Sequence, residues 1–250
     1  MKIILIDIGN SRIKWALKSG YEYSLQNPIV HSKGNIAEKD LWKFSAVEST
    51  EDKVCKVIIS SVLDEPANRY LKKQFELLFP IKDVFFVRSI ASGFGIKNGY
   101  QQPERLGVDR FVAMVGARAI TKQALVVVDI GTAITIDLLS ATGEHKGGLI
   151  SAGLGLLRNS LGRSTANLPL ISDSNCSFPA TETESAIAGG TILTLAGLVN
   201  HIYSMQNNDY KLILTGGDAE TVSPYINAAH QIIPDLIFKG LNVIADEILK

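Results

Sequence analysis

A duplicated α/β chain, with mixed central sheets flanked by helices and a cleft between the halves, is the fold class this sequence predicts. Three observations predict it. An apolar run closed by Asp-Ile-Gly occurs twice, at Ile3–Gly9 and Leu125–Gly131, about half the chain apart. Each copy is followed by a segment able to return as a second strand and then by a turn. Elsewhere, short β-branched runs alternate with stretches of helical spacing, the pattern of a sheet covered on both faces.

In chain order, Ile3-Ile4-Leu5-Ile6-Asp7-Ile8-Gly9 reads as a buried strand ending in a tight turn, and Arg12 to Leu17 returns beside it before Ser19-Gly20. Val54 to Val62 reads as a strand, Pro66 to Phe79 as an amphipathic helix and Lys82 to Val87 as another strand. Asp109 to Ile120 has helical spacing, with Phe111, Val112, Val115 and Ala119 near one face. The second copy, Leu125 to Gly131, returns through Ile134 to Leu139 and turns at Ala141-Thr142-Gly143. Thr183 to Met205 reads as a long, mostly apolar helix, Lys211 to Leu214 as a strand ending in Thr215-Gly216-Gly217-Asp218, and Val243 to Leu249 as a short final helix. The expected halves are 1–115 and 116–250, packed tightly, since no low-complexity linker divides them.

Composition bounds the partners. The 250 residues allow one large domain or two ordinary ones, and 46% hydrophobic with 20% charged residues suits a globular chain. Twenty-five basic and 25 acidic residues cancel, so no charge excess points to nucleic acid or an anionic membrane. Cys55 and Cys176 stand far apart, which excludes a disulfide framework or cysteine-rich zinc site and fits a reducing compartment. The N-terminal apolar run is broken at Asp7, too soon for a signal or a membrane span. A cytoplasmic location, with no membrane and no nucleic-acid partner, is expected.

The sequence has no GxxxxGK[ST] loop, no HExxH and no GxSxG elbow, and its four histidines are scattered. Three glycine-bearing turns after strands remain. In Asp7-Ile8-Gly9-Asn10-Ser11, glycine lets backbone approach a phosphate while amide and hydroxyl groups donate to it, and Lys14 adds a positive charge. Asp7 is placed to hold a hydrated magnesium ion, which takes few carboxylates directly. Asp129-Ile130-Gly131-Thr132-Ala133 is suited to clamp phosphates from the other half, and Gly216-Gly217 to admit a base or ribose against bare backbone. One such turn alone is an ordinary turn; two matched copies and a later Gly-Gly turn favour nucleotide binding. The fourth constellation runs from Tyr100 to Arg110. Asp109 there can accept a proton from a substrate hydroxyl, and Arg110 can pair with a carboxylate through two hydrogen bonds. An N-cap aspartate with a surface arginine is the bland reading of the same pair.

The three turns resemble the phosphate-1, phosphate-2 and adenosine motifs of the acetate kinase, sugar kinase and actin superfamily. Its folds are duplicated actin-like (ribonuclease H-like) domains. With Tyr100 ahead of Leu106-Gly107-Val108-Asp109-Arg110, and Asp129 to Asp137 reading Asp-Ile-Gly-Thr-Ala-Ile-Thr-Ile-Asp, the set resembles type III pantothenate kinase over nearly the whole chain. That resemblance implies ATP-dependent phosphorylation of the primary hydroxyl of pantothenate, the first step toward coenzyme A. It implies Asp109 as catalytic base, and Tyr100, Gly107, Val108 and Arg110 around pantothenate, with Arg110 at its carboxylate. Thr183 of a partner subunit contributes, so a homodimer with shared active sites follows. Asp7, Gly9, Asn10, Ser11, Lys14, Gly131, Thr132, Gly216 and Gly217 match the ATP region. Mg²⁺ is expected near Asp7 through water, and a monovalent cation, K⁺ or NH4⁺, at Asp129. The sequence departs from the family at Ala152, where proline is usual before Gly153, a change expected to loosen that turn, and at Ser11, where threonine is frequent. Arg88, Arg105, Arg158 and Arg163 are read as accessory cations or surface charges, and Trp15 and Trp42 as packing residues. The alternatives are a non-enzymatic accessory factor in transcription and a related kinase for another small hydroxylated substrate.

Overall fold

Residues 2–31, 36, 41, 44, 54–79, 83–172, 177–206 and 209–249 are described by the computed structural model; Trp42 and Cys176 lie outside them. The chain forms two compact units, Met1–Ile120 with Leu236–Lys250, and Thr121–Asp235.

The first unit starts with β1 (Lys2–Ile8), whose side chains are buried on both faces, as a central strand requires. β2 (Arg12–Ser19) returns antiparallel to it, with Asp7 opposite Lys14 and Ile8 opposite Ile13. β3 (Glu22–Leu25) and the short β4 (Ile29–Val30) both pair with β2. On the other side of β1 runs β5 (Val54–Ser61), parallel, with Ser60 beside Asp7. The helix α1 (Glu65–Leu78) follows. Its N-cap is Asp64, whose carboxylate accepts from the Ala67 N–H at 3.0 Å. β6 (Val84–Phe86) is the parallel edge strand. A small hairpin, β7 (Ser92–Gly93) and β8 (Ile96–Lys97), leads to α2 (Val108–Ile120). Period-two alternation sends Ile4, Ile6 and Ile8 of β1 to one face, where they meet Leu71 and Phe75 of α1 and Phe44. Trp15 packs as expected, its ring 4.7 Å from that of Phe44.

In the second unit, β9 (Ala124–Ile130), β10 (Ala133–Leu139) and β11 (His145–Ala152) form an antiparallel meander. Two helices, α3 (Leu154–Ser164) and α4 (Thr183–Ser204), precede β12 (Tyr210–Thr215), which joins β9 in parallel. The short α5 (Ala219–Val222) and β13 (His230–Ile232), parallel to β12, complete the unit. Val126, Val128 and Ile130 form its core with Ile192, Leu195 and Val199 of α4. By length and composition α4 is apolar enough to cross a membrane, with mean hydropathy 1.4 over 18 residues. Its sequence is not an uninterrupted apolar run: Glu184, Asn200 and His201 fall within it. The buried face of α4 is part of the unit's core.

The two sheets share one topology. β4 aside, the first is ordered β3-β2-β1-β5-β6 and the second β11-β10-β9-β12-β13. In each, two strands of an antiparallel meander lie on one side of the first strand, and two parallel strands on the other. The duplication read from the repeated Asp-Ile-Gly is thus repeated in strand order and sense, and the mixed sheets match the predicted class.

The last helix, α6 (Leu236–Ile248), departs from the expected halves: it belongs to the first unit, packed along α2 and against β1. It also begins seven residues earlier than the predicted Val243. Lys18, only 2% exposed, anchors it: the Lys18 ammonium lies 2.8 Å from the Asp246 carboxylate and donates to Asn242 Oδ1 at 2.6 Å. The division after residue 115 instead lies within α2, and the units meet in sequence at Ile120–Thr121. α2 is also buried on every side from Arg110 to Arg118, while Ala119, expected on its core face, is exposed.

Candidate active site

In the first unit, the turn between β1 and β2 presents Gly9, Asn10 and Ser11, the last two exposed. Asp7 is buried at the carboxyl end of β1, and its antiparallel partner is the half-buried Lys14. The turn is closed by the Gly9 N–H donating to Arg12 O at 3.0 Å. It is also held by His31, whose Nε2 lies 3.0 Å from Gly9 O and whose N–H donates to Ser11 O. A Cβ on Gly9 would meet only Arg12 O at 3.6 Å, an ordinary contact. Packing therefore does not require glycine there; the space it leaves open suits an incoming phosphate.

The acceptor segment is built on α2. Gly107 O accepts the first helical bond, from the Phe111 N–H at 3.0 Å, so Gly107 stands at the cap and Asp109 is the second helical residue, not the N-cap. Asp109 Oδ1 accepts from the Arg110 N–H at 2.8 Å. The Asp109 carboxylate lies over Gly107, where a Cβ would come within 2.7 Å of Oδ1. Arg110 is not the surface arginine of the bland reading. It is 5% exposed, donates from Nη1 to Tyr100 Oη at 2.7 Å, and lies 5.6 Å from the Tyr100 ring centroid. Tyr100 is positioned by Asn98, which is 9% exposed. Asn98 Oδ1 accepts from the Tyr100 N–H at 3.0 Å and its Nδ2 donates to Pro103 O at 3.0 Å.

The second unit brings its own predicted residues together. Asp129 is the penultimate residue of β9, Thr215 is its parallel neighbour on β12, and the Asp218 N–H donates to Ile130 O at 2.9 Å. Gly216 has φ +97°, and a Cβ there would lie 2.3 Å from Ile130 O and 2.4 Å from Asp129 Oδ1. Glycine is thus required to bring the Gly216-Gly217 turn against the Asp129 loop. Gly131, by contrast, has nothing nearer to a Cβ than Asp129 Oδ1 at 3.7 Å. It repeats the open space at Gly9. Ala152, the departure from proline, is paired with Ala133 at the end of β11. The adjoining turn is held by the Gly153 N–H donating to Thr132 O at 3.1 Å. Thr183 is exposed at the first turn of α4. Among the described residues no group of three or more His, Cys, Asp or Glu side chains could hold a metal ion.

A family model for type III pantothenate kinase matches residues 3–205. The chain belongs to the type III pantothenate kinase family. A relative of that name from Dechloromonas aromatica is 33% identical over 244 residues, covering 97% of this chain and 98% of its own. Among solved structures, a Campylobacter jejuni protein described as a conserved Baf family transcriptional activator superposes with TM-score 0.62 at 24% identity, over 99% of this chain and 100% of that one. An archaeal actin homolog, Ta0583, gives TM-score 0.50 at 11% identity, over 99% and 100%. At these identities the two structures bear on the fold alone, which is actin-like, and a transcriptional role is not carried over.

Two residues that support the candidate site were missed in the sequence: Asn98 fixes Tyr100 and His31 supports the Gly9 turn. Neither carries a motif of its own; a buried asparagine next to a turn is the nearest thing to a signal. Gly153, the glycine that follows Ala152, packs against the Gly131 loop, where a Cβ would meet Gly131 O at 2.0 Å. Of the arginines read as accessory, Arg158 is buried in the kinase, donating to Ser172 O at 2.6 Å and Thr191 Oγ1 at 3.3 Å. That geometry makes it a packing residue.

Proposed function

We propose that Asp109, Arg110, Tyr100 and Gly107 form the pantothenate end of the kinase site, and that the Gly9 and Gly131 turns hold the phosphates of ATP. The chain is a pantothenate kinase by family, transferring the γ-phosphoryl of ATP to pantothenate on the way to coenzyme A. The observation that carries the residue assignment is the Arg110–Tyr100 bond of 2.7 Å, next in sequence to Asp109. It buries a guanidinium beside a phenol at a loop-to-helix junction. Such a pair offers a substrate carboxylate a charged donor whose direction is already fixed.

In this reading Arg110 and Tyr100 bind the carboxylate end of pantothenate, and Val108 lies against its body. Asp109 orients the primary hydroxyl and accepts its proton as the phosphoryl group transfers. Charge on the transferring group is spread over its oxygens, so most of the catalysis is alignment and electrostatic stabilisation. Lys14 and the backbone N–H groups around Asn10, Ser11 and Thr132 supply that stabilisation. Gly216 and Gly217 admit the adenosine. Asp7 is the carboxylate for Mg²⁺, held through water, and Mg²⁺ neutralises phosphate charge when bound. Asp129, with Oδ1 close to the Gly216 backbone, is the oxygen ligand for a monovalent cation. Thr183 reaches pantothenate from the partner in a homodimer, its exposure at the first turn of α4 supporting that role.

The test is ADP release from Mg-ATP with and without pantothenate, in potassium and in sodium, for the wild type and Asp109→Asn. Pantothenate-dependent turnover, favoured by potassium and reduced at least about 100-fold in the variant with its melting temperature retained, is the expected result. Turnover unaffected by Asp109→Asn would remove the assignment of the base.

A further inference from the structure

β5 ends in two serines, and they differ in their partners. Successive side chains of a strand point to opposite faces. Ser61 is on the α1 side, where its hydroxyl donates to Asn68 Oδ1 at 2.7 Å and accepts from the Leu63 N–H at 3.2 Å. Ser60 is on the opposite face, where α2 and α6 pack. It is 0% exposed, and its Oγ has no hydrogen-bond partner among the described residues. Buried hydroxyls are ordinarily satisfied, and this one is not.

Ser60 is the parallel neighbour of Asp7, and Lys14 is the antiparallel neighbour of Asp7 on its other side. The three side chains therefore share one face, in a row across strands about 4.8 Å apart. An ionised carboxylate has about four acceptor sites, so Asp7 has room for the Ser60 hydroxyl beside its other partners. The second unit repeats the arrangement: Thr215 on β12 stands beside Asp129 as Ser60 on β5 stands beside Asp7. In both strands a run of buried aliphatic residues, Val57-Ile58-Ile59 and Leu212-Ile213-Leu214, ends in a buried hydroxyl residue next to the aspartate. Alanine or valine would fill such a place without burying a polar group. On the other side the two rows differ, since Asp129 faces Thr135 where Asp7 faces Lys14. What the two carboxylates share is the hydroxyl, not the cation.

We propose that Ser60 is a positioning residue for Asp7: its hydroxyl donates to the Asp7 carboxylate and holds it toward the hydrated Mg²⁺. The inference rests on the reading of Asp7 as the carboxylate for that ion. Among the described residues no three His, Cys, Asp or Glu side chains gather around a metal, a donor set that fits an ion keeping most of its waters. A carboxylate that meets an ion through water takes its direction from its own hydrogen bonds, and Ser60 is the buried neighbour with a donor to give. A hydrogen bond to a charged carboxylate is about twice as strong as one between neutral groups, so the hydroxyl acts on the ionised, ion-holding form.

The experiment compares the full-length wild type with Ser60→Ala, Asp7→Asn and the double variant. Thermal unfolding is followed without nucleotide, with a non-hydrolysable ATP analogue in EDTA, and with the analogue and rising Mg²⁺; ADP release is measured over the same Mg²⁺ range. Ser60→Ala is expected to unfold no lower than the wild type without nucleotide, because the hydroxyl it loses has no partner, and to respond to the analogue in EDTA as the wild type does. The Mg²⁺ concentration giving half of the Mg²⁺-dependent stabilisation is expected to rise at least about fivefold, and that for half-maximal ADP release with it. In the Asp7→Asn background Ser60→Ala adds nothing further. A Mg²⁺ response equal to wild type in Ser60→Ala, a lowered melting temperature without nucleotide, or an added effect in the Asp7→Asn background overturns the proposal. If Asp7→Asn leaves the Mg²⁺ response unchanged, the reading of Asp7 falls as well; if it raises the Mg²⁺ requirement and Ser60→Ala does not, only the role of Ser60 falls.

Discussion

Replacing Gly240 by alanine tests how the last helix is held to the first unit. Gly240 on α6 and Gly116 on α2 lie where the two helix backbones cross. A Cβ on Gly240 would stand 2.0 Å from the Val112 carbonyl oxygen and 2.9 Å from its carbon. A Cβ on Gly116 would stand 2.2 Å from Leu236 O and 2.9 Å from Gly240 N. Carbon-to-oxygen approaches between packed helices stop at about 3.3 Å, so either alanine must part the helices by about 1 Å. Two effects then oppose each other. Alanine is the better helix former by about 1 kcal/mol. Overpacking costs about 1–3 kcal/mol, and here the obstructing atoms are backbone, which cannot rotate away, so the cost falls at or above the upper end. The net expectation is a loss of about 2 kcal/mol or more. At about 2–4 °C per kcal/mol for a chain of this size, the melting temperature falls by roughly 4–8 °C or more. The same displacement reaches Asp109, about two turns from Gly116 along α2. A 1 Å misplacement there is expected to cost up to about 100-fold in kcat/KM. Thermal unfolding followed by circular dichroism, paired with ADP release, measures both. A melting temperature unchanged or raised in both variants would refute the close-crossing argument.

Gly107→Ala is expected to act on chemistry more than on stability, because its Cβ meets the Asp109 carboxylate rather than backbone. A kcat reduced about 10–100-fold with a melting temperature near wild type is the expected pattern, and an unchanged kcat would count against Asp109 as the reacting group. Asn98→Ala removes two hydrogen bonds that set Tyr100, each contributing about 1 kcal/mol. Pantothenate KM should rise about tenfold or more with kcat less affected, and equal changes in both would show that Asn98 does not act through the substrate pair. Cys55 should alkylate slowly at neutral pH. Burial pushes its thiol above the ordinary range and the Asp83 carboxylate adds to this, outweighing the backbone hydrogen bond and the nearby positive charges. The neutral thiol is favoured in the folded state, so stability from this group is present at neutral pH and lost as alkalinity brings the thiol to ionise. Iodoacetamide labelling read by peptide mapping, which separates Cys55 from Cys176, should show Cys55 lagging an unstructured cysteine peptide until well into alkaline pH. Equal rates at neutral pH would contradict it.

What was legible in the sequence was whatever is local. The strands carrying Asp7 and Asp129, the turns after them and the hairpin returns are continuous patterns, and they fold where the patterns lie. The start of α6 was not legible because Gly240 reads as a helix breaker. It is tolerated only because Val112 of a helix more than a hundred residues away passes against it. For the same reason no local pattern could return α6 to the first unit. α3 was missed because Gly153 and Gly155 look like turn residues. Arg158 looked like any charged residue, since its partners Ser172 and Thr191 come from other segments. The glycines of the site divide in a way that only packing exposes. Gly153 and Gly216 are demanded by the protein itself, because any side chain there would strike the backbone of the Gly131 or Asp129 loop. Gly9 and Gly131, at matching places in the two sheets, are demanded by nothing in the chain. A glycine costs backbone entropy on folding. That cost is carried twice at equivalent turns where alanine would fit the protein, which is what the phosphate-holding role proposed for both turns requires.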